Sequence, residues 1–119
     1  MKTTSLELSK RIATLEGDKG ESEYWWFPHR EMETHRLIEW KIKDTRCGSN
    51  ESVPALTTDE LLERLPVRVV LGKKKNYVDG KQMYFCNFEG KLKHQELGES
   101  PAEALGLLYE HLLSKGLIT

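Results

Sequence analysis

Four histidines, two cysteines, one run of lysines and one run of aromatics are the residues of this chain whose types and spacing could carry chemistry. His29 and His35 flank Glu31, Glu33 and Arg36, and together with Cys47 they could offer nitrogen and sulfur ligands to zinc. Their spacing matches neither a finger nor a zincin helix. His29, His35, His94 and His111 are therefore expected to be solvated, with no metal and no cofactor. Cys47 falls in a loop-like stretch and Cys86 in an apolar one, and there is no Cys-x-x-Cys. That pattern suggests one exposed thiol and one core residue. A Cys47–Cys86 disulfide is disfavoured in a reducing cytosol. The sequence has no phosphate loop, no recognisable nucleophile and no titratable pair at a spacing that suggests acid–base work. It is expected not to be an enzyme, although residues remote in sequence can still converge in space.

Lys73, Lys74 and Lys75 form the one basic run. On a turn between two strands they could meet phosphates, and a helix–strands–helix order is similar to that of double-stranded RNA-binding domains. Those domains begin their last helix with basic residues. Here the corresponding stretch is Glu99-Ser100-Pro101-Ala102-Glu103, an acidic start that repels phosphate. The default reading of the lysines is a charged hairpin turn, with nucleic-acid binding as the alternative. Trp25, Trp26 and Phe27 follow Tyr24 directly. Neighbours on a strand point to opposite faces, so the two tryptophans cannot share one core. Either a helix covers the second face or one ring belongs to an interface, where tryptophan is enriched. Trp25, Trp26 and Phe27 are the candidate partner-binding residues.

The elements that must position these residues are clearest in the C-terminal half. Ser100-Pro101-Ala102-Glu103 is a capping box with proline at the first helical position. Ala102, Leu105, Tyr109, Leu112 and Leu113 recur at helical spacing, Lys115 suits the negative end of the dipole, and Gly116 ends the helix. Leu117 and Ile118 can fold back on the last turn. Gly106 in the interior costs roughly 1 kcal/mol against alanine, which predicts a close packing contact there. Thr57 to Glu60 is a second capping box, opening a helix that buries Leu61, Leu62 and Leu65 and stops at Pro66. Between these helices Val67 to Leu71 reads as a strand, and Gly72 with the lysines as a turn. Asn76 to Val78 pairs with Lys81 to Phe88 across Asp79-Gly80. Met83 and Phe85 alternate with Tyr84, Cys86 and Phe88, so both faces are apolar and the strand is expected to be central. Lys91 to Leu97 is more polar and reads as an edge.

In the first half, Thr4 or Ser5 can cap a helix from Leu6 to Glu16, with Leu8, Ile12 and Leu15 on one face and Gly17 at its end. Glu31 to Asp44 fits a short helix through Leu37, Ile38 and Trp40, or a strand through Ile38, Trp40 and Ile42; the strand is preferred. Asp44 to Pro54 reads as a loop.

The chain has 119 residues, 31% of them charged, and a formal net charge of −1. A length of this order fits one domain, and a chain of this size can bury roughly 65% of the surface its unfolded form exposes. The charge balance argues against a general polyanion binder. No apolar run is long enough to span a membrane, and Met1 to Ser5 lead into an amphipathic helix rather than a signal core, so a cytoplasmic location is expected.

The stretch Leu8-Ser9-Lys10-Arg11-Ile12-Ala13-Thr14-Leu15-Glu16-Gly17, the Thr57-to-Pro66 helix and the closing segment from Ser100 through Lys115-Gly116-Leu117-Ile118 resemble the small "phage ABA sandwich" proteins of bacteriophages and prophages. The resemblance implies a sheet flanked by helices and a place in the bacterial host cytoplasm. It implies no catalytic residue. The fold expected is a single α+β domain over 1–119, a mainly antiparallel sheet with helices packed on it. The function expected is non-enzymatic binding of a host or phage protein, with a homodimer among the options.

Overall fold

The structure, a computed structural model, describes residues 3–17, 22–44, 51–66, 69–75, 79–89 and 93–118. Along the chain these form α1 (Leu6–Glu16), β1 (Tyr24–Arg30), β2 (Leu37–Lys43), β3 (Val53–Ala55), α2 (Thr58–Arg64), β4 (Val69–Lys75), β5 (Gln82–Glu89), β6 (Lys93–Gly98) and α3 (Pro101–Ser114). The fold is α+β, and its strands make two antiparallel three-stranded sheets ordered β2-β1-β3 and β4-β5-β6.

The caps form as the sequence predicts, with one exception. Thr57 Oγ1 accepts from the Glu60 N–H at 3.2 Å while Glu60 Oε1 accepts from the Thr57 N–H at 3.0 Å. Ser100 Oγ likewise accepts from the Glu103 N–H at 3.1 Å. The Glu103 carboxylate, however, does not reach back to Ser100. Its Oε1 accepts from the N–H of Ser5, the cap of α1, at 2.6 Å. An acid in the first turn of the last helix thus closes the first helix. At the other end of α3, Gly116 has φ +68°. Its N–H reaches Leu113 O at 3.1 Å and that of Leu117 reaches Leu112 O at 3.0 Å, pairing carbonyls the helix would leave open.

The core is built around α3. Ala102, Leu105, Leu108, Tyr109 and Leu112 pack with Leu8 and Ile12 of α1, Leu61 and Leu65 of α2 and its cap, and Cys86 of β5. The helix is buried on more than one side, because α1 and α2 lie against it as well as β5 and β6. A single apolar stripe would not suffice, and Ala104 and Leu108 are accordingly buried too. Gly106 sits at the α1–α3 crossing. A Cβ there would come within 2.7 Å of both Leu8 Cδ2 and Thr4 Cγ2, the close contact its position predicts.

Several expectations change. Leu15 and Leu62 are exposed, since the faces of α1 and α2 that meet α3 are narrower than their apolar patterns. Lys73, Lys74 and Lys75 are not a turn: they continue β4, opposite Tyr84, Met83 and Gln82. Long lysine stems are tolerated on a sheet rim because the ammonium stays in water. Val53 and Pro54, assigned to a loop, lie in β3 and pair with Trp26 and Trp25. Glu31–Asp44 resolves in favour of the strand, β2. The expected Asn76–Val78 pairing, Val67–Arg68 and Cys47 lie outside the described residues.

Candidate functional site

The aromatic run forms most of β1. Strand alternation puts Trp25 and Phe27 on one face and Trp26 on the other, and their environments differ accordingly. Trp25 and Phe27 are each 8% exposed, and Trp26 is half-buried. Each indole N–H finds a backbone carbonyl: Trp25 Nε1 donates to Ser22 O at 2.9 Å, Trp26 Nε1 to Thr4 O at 3.2 Å. Lys43 Nζ lies 4.8 Å from the centre of the Phe27 ring. Trp25 and Phe27 therefore offer a partner little surface.

The three lysines do not act as one patch. Register places Lys74 beside Met83 on the outer face of β4-β5-β6, while Lys73 stands beside Tyr84 on the face toward α3. Lys73 Nζ is 5.9 Å from the Tyr84 ring centre. The strand divides the charges between two directions, where a turn could have gathered them.

Two polar clusters arise that no local spacing announces. The first joins the ends of α1 and α2 to the middle of α3. Tyr109 Oη donates to Glu16 Oε2 at 2.6 Å, and Arg64 Nε stands 3.5 Å from the same oxygen. These residues edge a cleft of about 550 Å³, shared with Leu15, Leu113 and Ile118. Burial and the Glu16 carboxylate both push the Tyr109 hydroxyl up, so it stays protonated and serves as a fixed donor rather than as a base. Glu16 Oε1 makes no hydrogen bond, yet it is enclosed by protein and presents no surface to the cleft. The arrangement can clamp three helices; it does not present a reactive atom.

The second cluster is His94, Glu96 and His111, half-buried between β6 and α3, whose ligand atoms lie within 4.8 Å of one another. Alternation puts His94 and Glu96 on the α3-facing side of β6, and His94 Nε2 is 2.6 Å from Glu96 Oε1. The imidazoles of His94 and His111 stack at 3.7 Å with planes 2° apart. Parallel rings keep their in-plane lone pairs in two separate parallel planes, whereas a metal needs them to converge on one point. The cluster is built as a hydrogen-bonded stack, and a metal would require one ring to turn. His29 and His35 are exposed and belong to no such cluster among the described residues.

Behind them on the inner strand face, Cys86 is fully buried as a free thiol, and burial with the nearby Glu96 pushes it up to about 12. A thiol held protonated in this way is inert as a nucleophile.

The remaining candidate is a surface. β2 pairs with β1 through Lys43 to Leu37 and, among the described residues, carries no strand on its other side. Its seven residues, Leu-Ile-Glu-Trp-Lys-Ile-Lys, alternate as a half-buried strand should, but Leu37, Ile38 and Ile42 are 42%, 58% and 41% exposed. Only Trp40 is half-buried, with Lys10 Nζ of α1 4.7 Å from its ring centre. A strand of strong β-formers with a free edge and open apolar side chains can receive another strand by main-chain hydrogen bonding. The sequence identifies the strand; its exposure depends on which helix covers which sheet, and no local pattern encodes that. Likewise His94-x-Glu96 shows a shared face, but only the packing of α3 brings His111 to it.

No helix among the described residues is long and apolar enough to cross a membrane. The chain matches no known family model, no curated protein and no solved structure at a significant level.

Proposed function

We propose that this protein acts without chemistry, by binding another protein along the free edge of β2. The observation that carries the reading is the coincidence of exposed Leu37, Ile38 and Ile42 with a strand edge that has no neighbour among the described residues. Main-chain bonds of an added strand would supply affinity, and the alternating side chains would supply register. The resemblance to phage ABA sandwich proteins supports a phage or prophage setting, with a host or phage protein as partner in the bacterial cytoplasm. Trp25 and Phe27, buried beneath, act by holding β1 in place, and Trp26 helps fix the sheet to the segment before α1.

A photo-crosslinking residue placed at Ile38 and expressed in bacterial cells tests this. Protein adducts are expected from position 38, lost on adding Ile42→Lys, and absent from position 70 on the other sheet. No protein adduct from position 38 would end the proposal.

A second reading rests on element order. The run α2, β4, β5, β6, α3 is the order of a double-stranded RNA-binding domain. Against it stand the divided lysines and the acidic entry to α3, where Glu103 is already engaged by Ser5.

A further inference from the structure

We infer that the strand received by β2 is the β2 of a second copy of this chain, paired antiparallel about a two-fold axis at Trp40. This rests on the reading of β2 as the binding edge and names its occupant.

The argument is in the register. A strand that pairs with itself about Trp40 sets Ile38 opposite Ile42, Glu39 opposite Lys41, Trp40 opposite Trp40 and Leu37 opposite Lys43. Because the axis is perpendicular to the sheet, each face of one copy continues into the same face of the other. Ile38, Trp40 and Ile42 then form one apolar row across the junction, covering two of the three most open aliphatic side chains of the strand. On the opposite face each Glu39 carboxylate meets a Lys41 ammonium of the other copy, twice by symmetry. Within one chain these two already lie 3.6 Å apart, exposed and so weak, and pairing would close them into a four-charge array. Leu37 against Lys43 is the one unlike pair. Lys43 is already turned over the Phe27 ring, which leaves its aliphatic stem for contact with leucine. Seven paired positions give about six to eight new main-chain hydrogen bonds, whichever alternate set of amides points outward.

The edge strand of equal length in the second sheet, β4, fails the same test. Self-pairing of β4 about Gly72 would set Val70 against Lys74 and Leu71 against Lys73, apolar against charged at each step. Consecutive lysines are a known way of keeping an edge unpaired. The chain therefore defends the β4 edge and leaves the β2 edge self-complementary. The product would be a continuous sheet of six strands, β3-β1-β2 followed by the same three in reverse from the second copy.

Charge reversal provides the test, with mass in solution measured by sedimentation velocity across a concentration series and folding checked by circular dichroism. The wild type is expected to be a dimer. Glu39→Lys and Lys41→Glu each place like charges opposite at two positions, and each should weaken association about tenfold or more. The double variant Glu39→Lys/Lys41→Glu restores opposite charges in the same register and should regain the dimer. All these side chains are exposed, so the monomer fold should not change. A wild type that stays monomeric throughout would overturn the inference. So would single variants that dimerise as tightly as wild type, or a folded double variant that fails to recover. A monomeric wild type that still crosslinks to a different protein from position 38 would sink the homodimer and leave the binding edge standing. Absence of every protein adduct would remove both.

Discussion

β5 and β2 are both rich in strand-forming residues and end in opposite environments. β5 lies centrally, with Cys86 fully buried beneath α3 and Phe85 lodged over the bare backbone of Gly72 on the far face. β2 carries Leu, Ile, Trp and Ile within seven residues, yet only Trp40 is even half-buried. The difference lies in the helices. α3 lies on β5 and β6 and gives the second sheet a covered face, while α1 turns Leu8 and Ile12 toward α3 rather than toward the β1–β2 hairpin and leaves the outer strand of the first open. Apolar content makes a strand able to be buried, but coverage decides whether it is, and a strand left open in this way is available for a partner.

This contrast can be broken by mutation, and the largest effect is expected at the core. Leu112→Ala should cost roughly 2–5 kcal/mol in urea unfolding, since the side chain is fully enclosed where α3 meets its neighbours. A cost near zero would mean the α3-centred core is misassigned. An alkaline titration comes next. Cys86 is raised from 9.0 to about 12 and Tyr109 is raised from 10.0. Both groups bind their protons more tightly folded than unfolded. The stability they contribute is complete below about pH 9 and is lost as pH climbs through 9 toward 12. Cys86→Ala should flatten the first part of that fall; an unchanged slope would show the thiol is not buried as described.

Glu103→Ala should cost about 1 kcal/mol, the usual scale of a lost helix cap, because Ser5 loses its acceptor. Ile38→Ala should change monomer stability by no more than about 0.5 kcal/mol, as exposed positions do. All three tryptophans, Trp25, Trp26 and Trp40, lie in the first sheet, so their fluorescence reports this region alone. In the Glu39→Lys background, where the second copy is gone, a shift of several degrees in that signal would mean the monomer itself covers β2. Replacing Lys73, Lys74 and Lys75 together by glutamine is expected to leave the fold and the association through β2 as they were. Salt-dependent binding of duplex RNA by the wild type, lost in this variant, would favour the second reading instead.

The elements legible in the sequence are those fixed by local chemistry. The Thr57–Glu60 box, the Ser100 cap and the Gly116 stop depend on residues within one turn of each other. Strand β2 was legible from alternation alone, and the close contact at Gly106 from its cost to the helix. The lysine run was misleading because charge reads as a turn, although a sheet rim accommodates it equally well. Spacing pairs the Glu103 carboxylate with the cap of its own helix, yet its donor is the N–H of Ser5. The clusters at Glu16 and His94, and the openness of β2, follow from how helices pack on sheets, and spacing along the chain carries no record of them.

The bond from Ser5 to Glu103 spans 98 positions, that of Arg11 to Glu110 spans 99 and that of Tyr109 to Glu16 spans 93. During synthesis the first helix leaves the ribosome long before the residues that complete it. Until α3 emerges, the cap of α1 has no carboxylate and its apolar face lacks the helix that covers most of it. The order of translation therefore runs against the order of closure, and the nascent chain must wait for its last helix before its first can settle.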